Sequence, residues 1–171
     1  MWTSYQISVV TDDLQGVSGL KQKMDARLAE INRVFSTFLA DCEIIRFNAL
    51  STVYEKFQVS DDFMQVIKIG QKIHQLSEGA WDGTVKPLVD LWGFGTKGRR
   101  DTPPKPAEIK TALKRIGFNK LKIGDHFLTK TVPGITLDLG SIATEYGVDG
   151  NSTPQVMAFA LELYENAIFS L

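Results

Sequence analysis

The stretch from Asp61 to Ser77 constrains the fold most, because it combines a helix start, a helix stop and a single apolar stripe. Ser60 is placed to cap the first turn, Asp61 and Asp62 suit the positive end of a helix, and Gly79 ends it. Phe63, Val66, Ile67, Ile73 and Leu76 form the predicted buried face. Such a stripe must be covered by other elements, so the rest of the chain has to supply a partner layer. One candidate is a second helix from Ser18 to Phe35, where Leu20, Met24, Leu28, Ile31 and Phe35 step by four and three.

The remaining segments supply strands. Thr3 to Val10 alternates through Tyr5, Ile7 and Val9 and reads as a strand, followed by a turn with Asp12, Asp13 and Gly16. Lys120 to Ile123 and Phe127 to Lys130 read as two strands joined through Gly124-Asp125, a strong hairpin signal. Ile135 to Leu139 reads as a buried strand ending in Gly140-Ser141. A short helix with Ile109, Ala112, Leu113 and Ile116 on one face precedes the hairpin, and a helical pattern runs from Pro154 to Phe169. There is no regular βαβ alternation. The fold class expected is therefore α+β, a mixed or antiparallel sheet packed with helices.

Composition narrows the function classes. With 171 residues, 43% hydrophobic and 23% charged, the chain is an ordinary globular one, long enough for one core. Lysine and arginine number 19 against 20 acidic residues, a net charge of −1. That balance argues against nucleic acid or an anionic membrane as the main partner. Cys42 is the single cysteine, so an intramolecular disulfide and a cysteine-rich zinc site are excluded. Its neighbours Asp41 and Glu43 disfavour the thiolate, which fits a structural cysteine. His74 and His126 have no ligand-spaced partner, and no apolar run approaches the roughly 18 residues of a membrane span.

Four motifs carry candidate chemistry. Gly93 to Gly98 matches G-x-G-x-x-G, but the residues that follow, Arg99 to Pro104, cannot open the helix that a dinucleotide fold requires. It is not a Walker A loop either, since Arg99-Arg100 follow Gly98. What remains is a long Gly-rich loop to Pro106 with Lys97, Arg99 and Arg100, either approaching phosphates or simply solvated. Arg46-Phe47-Asn48 offers a forked donor and an amide to a ligand, or else Arg46 pairs with Glu43 at the surface. Gly79-Ala80-Trp81-Asp82 lets a planar ring approach backbone closely, or buries a structural Trp81. Asp138 is one carboxylate within an apolar strand, costly unless it is paired, hydrogen-bonded or metal-bound.

The order of these motifs resembles one family. Phe35-Ser36-Thr37-Phe38, Ile45-Arg46-Phe47-Asn48, Gly79 to Val85, Pro87 to Gly95 and Leu137 to Ala143 look like the ApbE family of FAD:protein FMN transferases, with the run from Pro87 to Gly95 the most specific. The resemblance extends from Met1 to about Asp149 and implies an ApbE-like, T-fold-related architecture of which this chain is a truncated, N-terminal part. Residues 1–149 would form that portion and residues 150–171 a divergent C-terminal helix. The implied activity splits the FAD diphosphate with a divalent cation, usually Mg²⁺, and attaches FMN to a Thr or Ser hydroxyl of a target flavoprotein. The implied partners are thus FAD and that flavoprotein, and the implied location is the cell envelope. A non-catalytic FAD- or nucleotide-binding module and an inactive truncated member are the alternatives, and self-association is expected if core strands are left uncovered.

By resemblance, Met1, Phe38, Ala80, Trp81, Asp82, Asp138 and Thr144 match positions that contact FAD, and Ser141 matches a position of the metal site. Some residues depart from the family pattern. Trp2 stands where Gly is usual, and Phe38 ends a Ser-Thr-Tyr motif without the hydroxyl. Thr144-Glu145 replaces Lys-Gly, removing a cation near the diphosphate. The family's second half, with the rest of the metal site and a His-containing motif, is not matched.

Overall fold

The computed structural model describes residues 18–37, 39–95, 98 and 100–148. The strand expected over Thr3–Val10, the helix expected over Pro154–Phe169 and the proposed C-terminal unit 150–171 lie outside these residues, as do Met1 and Phe38.

The helix with the strongest sequence signals forms as expected. It runs over Asp61–Leu76, and the Ser60 hydroxyl accepts from the Phe63 N–H at its start. Phe63, Met64, Val66 and Ile67 are buried beneath it, and so is Gly70. Leu76 is not: it is 76% exposed. At 100° per residue it lies about 220° around the helix from Phe63, so the apolar stripe has rotated away before the last turn. In chain order this is α3. It follows α1 (Leu20–Phe35), α2 (Glu43–Ala49) and β1 (Phe57–Gln58).

α1 buries Ile31, Val34 and Phe35, while Leu20, Met24 and Leu28 are only half-buried. The Phe35 ring stacks on Phe63 at 5.6 Å, and Phe47 of α2 meets both Phe63 and Phe57. These rings tie the three helices into one core. Cys42 is buried as a structural residue, its thiol donating to the Ser36 carbonyl. Downstream come α4 (Lys86–Leu91), α5 (Pro106–Leu113), a 3₁₀ turn at Phe118–Lys120, β2 (Leu121–Ile123), β3 (Phe127–Lys130) and α6 (Gly140–Val148). On α5, Ala112 is buried but Leu113 is half exposed, so the expected face is narrower.

The sheet is antiparallel, in the order β1-β3-β2, with Phe57 opposite Leu128 and Lys122 opposite Thr129. The hairpin closes through Gly124, whose N–H donates to the Phe127 carbonyl. Together with the helices this is the α+β architecture read from the sequence.

Ile135 to Leu139 corrects one expectation. Ile135, Leu137 and Leu139 are buried to within 1%, as a strand in the core would be, yet the segment pairs with no strand among the described residues. Buried backbone groups still need partners. The Leu137 N–H donates to Asn48 Oδ1 at 2.7 Å, Asn48 Nδ2 donates to the Leu137 carbonyl at 2.9 Å, and the Asp138 N–H donates to the Gly83 carbonyl. A side chain and a loop thus take the place of a ladder.

Candidate functional site

The site begins where α3 ends. Glu78 and Gly79 both adopt positive φ, 51° and 85°, and the Gly79 N–H closes on the His74 carbonyl. A left-handed residue after the last turn reverses the chain, and glycine takes that conformation without strain. The reversal delivers Ala80, Trp81 and Asp82 back across α3. Ala80 is exposed. The Trp81 N–H donates to the Ser77 hydroxyl, and His74 Nδ1 donates to the Trp81 carbonyl at 2.8 Å. Since a carbonyl only accepts, His74 Nδ1 carries the hydrogen of this bond.

The Trp81 indole lies in a slot that two glycines create. A Cβ on Gly70 would come within 2.9 Å of the ring, and one on Gly83 within 2.8 Å. Phe118 forms the third wall, 6.0 Å from Trp81 and stacked on His74 at 5.5 Å. The ring is therefore half-buried and fixed in orientation, with its Nε1 donating to Ser141 Oγ at 3.2 Å. This packing is that of a structural tryptophan, one of the two readings of the segment.

Asp82 is held just as firmly. Its Oδ1 accepts from the Thr84 N–H and hydroxyl at 2.8 and 2.6 Å, and its Oδ2 accepts from the Phe118 N–H at 3.0 Å. Buried Thr84 in turn accepts from the Gly117 N–H. Three donors on one carboxylate leave it few free lone pairs, so its contribution here is to shape the loop.

The other half of the site is the segment that Asn48 and Gly83 hold. With Ile135, Leu137 and Leu139 turned inward, Thr136 and Asp138 face the other way. Asp138 is therefore not a buried strand charge. It is part-exposed and its Oδ1 accepts from the Gly140 N–H at 3.1 Å, at the first turn of α6. Ser141 is exposed beside it. Of the first-turn amides, that of Gly140 is bonded to Asp138 and those of Ile142 and Ala143 to the Leu139 carbonyl, so what this end offers an anion is the positive end of the helix dipole. Thr144 lies one turn on and its hydroxyl donates to the Gly140 carbonyl. Ala80, Trp81, Asp82, Asp138, Ser141 and Thr144 thus come from two segments joined by Trp81–Ser141 and Asp138–Gly83.

Of the cations singled out by sequence, Arg100 is engaged elsewhere. Lys86 pairs with Asp90 at 2.8 Å, and Arg100 forks onto both oxygens of Glu108 at 3.0 and 3.1 Å. Lys97 and Arg99 lie outside the described residues. Glu43 is buried and accepts from the Ser60 N–H, while Arg46 is exposed and forms no ion pair with it. Asn48 faces Leu137 rather than a ligand. A cleft of about 860 Å³ between α4 and α5 is lined by Asp90, Arg100, Glu108, Arg115 and Thr136, and none of the six residues above lines it.

Two contributors are not among the residues read from the sequence. His74 holds the turn through the Trp81 carbonyl, and its only sequence signal is its place in the last turn, where a side chain reaches the following backbone. Phe118 walls the indole from 37 residues downstream (118 − 81), and nothing local points to it.

Comparison with known proteins supplies the family. Residues 1–153 match the ApbE family. A FAD:protein FMN transferase of Vibrio cholerae serotype O1 is 37% identical over 150 residues, covering 87% of this chain and 45% of the relative. One from Haemophilus influenzae is 32% identical over 155 residues, with the same coverages of 87% and 45%. The solved flavin transferase ApbE from Vibrio cholerae superposes with a TM-score of 0.75 at 34% identity, over 92% of this chain and 47% of that one. The chain thus spans about half the length of the relatives it matches, in sequence and in structure. With nine-tenths of its own residues accounted for in this way, the chain belongs to the ApbE family.

Proposed function

We propose that the chain provides the flavin- and diphosphate-contacting part of an FAD:protein FMN transferase. The observation that carries this reading is the Trp81 Nε1–Ser141 Oγ hydrogen bond, which joins the Ala80–Asp82 turn to the start of α6. An isoalloxazine ring would lie against Ala80 and Trp81, whose backbone is fixed by His74 and Ser77. The diphosphate would lie at the first turn of α6, where the positive end of the helix dipole favours its charge. Phosphoryl transfer depends chiefly on positioning and charge neutralisation, and rigid elements supply the first of these.

The acceptor hydroxyl oxygen would bond to the FMN phosphorus, the bond from that phosphorus to the bridging oxygen would break, and AMP and the hydroxyl proton would leave. Among the described residues no three His, Cys, Asp or Glu side chains converge. Ser141 Oγ and the Asp138 carboxylate are the side chains that would hold a Mg²⁺ ion here. The chemistry it supplies is neutralisation of the diphosphate.

Incubating the chain with FAD, Mg²⁺ and a target flavoprotein domain should add the mass of one FMN to a Thr or Ser of the target. No adduct, with a full-length relative active alongside, would refute the transferase reading. FAD binding without transfer would instead favour a binding module, a reading supported by neutral Thr144 standing where the family pattern has a lysine. The cell envelope is the proposed place of action, checked by fractionating cells that express the native locus.

A further inference from the structure

Asp138 and Ser141 serve the proposed site only if the segment before them is held, and strand pairing does not hold it. Among the described residues the two backbone groups of Leu137 go to one carboxamide, that of Asn48, at 2.7 and 2.9 Å. Asparagine alone offers an acceptor and a donor side by side at this reach. Aspartate would set a charge against the Leu137 carbonyl, and serine is too short. Asn48 is in turn held from behind: buried Lys130 Nζ donates to the Leu50 carbonyl at 2.8 Å and the Asn48 carbonyl at 3.3 Å, and lies over the Phe47 ring. An ordered path therefore leads from β3 through the end of α2 to Leu137, Asp138 and α6.

We propose that Asn48 is a positioning residue for the FAD site, setting the place of the Asp138 carboxylate and the first turn of α6 through Leu137. The inference rests on the FAD reading above for its ligand, but its geometry does not. Without the carboxamide, one hydrogen bond among the described residues, from the Asp138 N–H to the Gly83 carbonyl, remains to place that backbone. The ligand-contacting atoms would then keep their identity and lose their register against Trp81.

The test compares the full chain with Asn48→Asp, Asn48→Ala and Ser60→Ala, each confirmed folded by circular dichroism. Ser60→Ala removes the N-cap of α3, about 24 Å along that helix from the end that carries Trp81, and controls for a general loss of stability. Titration with FAD in the presence of Mg²⁺, followed by flavin fluorescence, should show both Asn48 variants weakened at least about tenfold and Ser60→Ala unchanged. Amide hydrogen exchange supplies a ligand-free arm. The Leu137, Asp138 and Gly140 amides should exchange slowly in the unaltered chain and about tenfold faster in Asn48→Ala, with β2 and β3 unaffected.

Unchanged FAD affinity in a folded Asn48 variant overturns the proposal, as does an equal loss in Ser60→Ala. Fast exchange at Leu137 in the unaltered chain also overturns it, and needs no variant to fold. If the unaltered chain binds no FAD while the exchange pattern holds, the transferase reading falls and positioning by Asn48 stands.

Discussion

Two residues in this chain gain their meaning from what lies against them. Gly83 is needed because a Cβ there would meet the Trp81 ring at 2.8 Å, Leu139 at 3.0 Å and Phe118 at 3.3 Å. Gly83→Ala should therefore destabilise the chain by about 1–3 kcal/mol, the usual cost of overpacking, seen as a lower urea midpoint at unchanged slope. Lys130 is an ammonium in the core without a carboxylate partner among the described residues, and burial lowers its pKa from 10.5 to about 8. Below pH 8 it is charged in both folded and unfolded chains, and the burial penalty is fully present. Between about 8 and 10.5 the native group sheds its proton while the unfolded one keeps it, so stability rises with pH across that window. Urea titrations at pH 7, 8, 9 and 10 should show this rise in the unaltered chain and lack it in Lys130→Met. A slope of equal size in the variant would assign the effect to other groups.

At the scale of elements, α6 has to be fixed at both ends. Its N-terminal end carries Ser141 against Trp81, and towards its C-terminal end the Tyr146 hydroxyl donates to Asp62 Oδ1 at 2.7 Å. Asp62 also receives both guanidinium nitrogens of Arg27, so α1, α3 and α6 meet at one carboxylate. Burial raises the Asp62 pKa, but the Arg27 and Tyr146 bonds outweigh it and hold the carboxyl below its ordinary value. Burial and the same carboxylate push Tyr146 up to about 12. Tyr146→Phe keeps the ring and deletes the bond, so it should cost about 1.5–3 kcal/mol at neutral pH, measured by denaturant unfolding. That contribution is present below the unfolded tyrosine pKa of 10 and lost as pH rises through 12. The elements themselves divide by how local their causes are. α3 and the β2–β3 hairpin were legible because caps, stripe and turn lie within their own sequence. The burial of Ile135, Leu137 and Leu139 was legible from their alternation, but the absence of a ladder was not. Its cause is a carboxamide 89 residues away in sequence. The same holds for Asp138, recognised as unusual yet placed in an apolar environment, because nothing local says that the segment turns it outward.

For the whole molecule, the near-neutral charge and single core say little about activity, and the motif order says most. The six described positions that the family pattern assigns to FAD or metal come from two segments about 60 residues apart, and the fold joins them through the Trp81–Ser141 and Asp138–Gly83 hydrogen bonds. That convergence makes a thermodynamic claim, since a ligand bound by the folded chain and not by the unfolded one must raise its melting temperature. At one hundred times the dissociation constant, FAD with Mg²⁺ would add about 2.7 kcal/mol. For a chain of this length that corresponds to a shift of roughly 5–11 °C. Self-association makes a different demand, because its melting temperature rises with protein concentration in the absence of FAD. Melting the chain at several protein concentrations, each with and without FAD and Mg²⁺, separates the two effects. A shift that follows FAD at constant protein supports the site. One that follows protein alone identifies covered core strands as the stabilising contact. With Asn48→Ala in the same series, the FAD-dependent part should shrink while the protein-dependent part stays, since that substitution disturbs the register of Asp138 and leaves exposed surface unchanged.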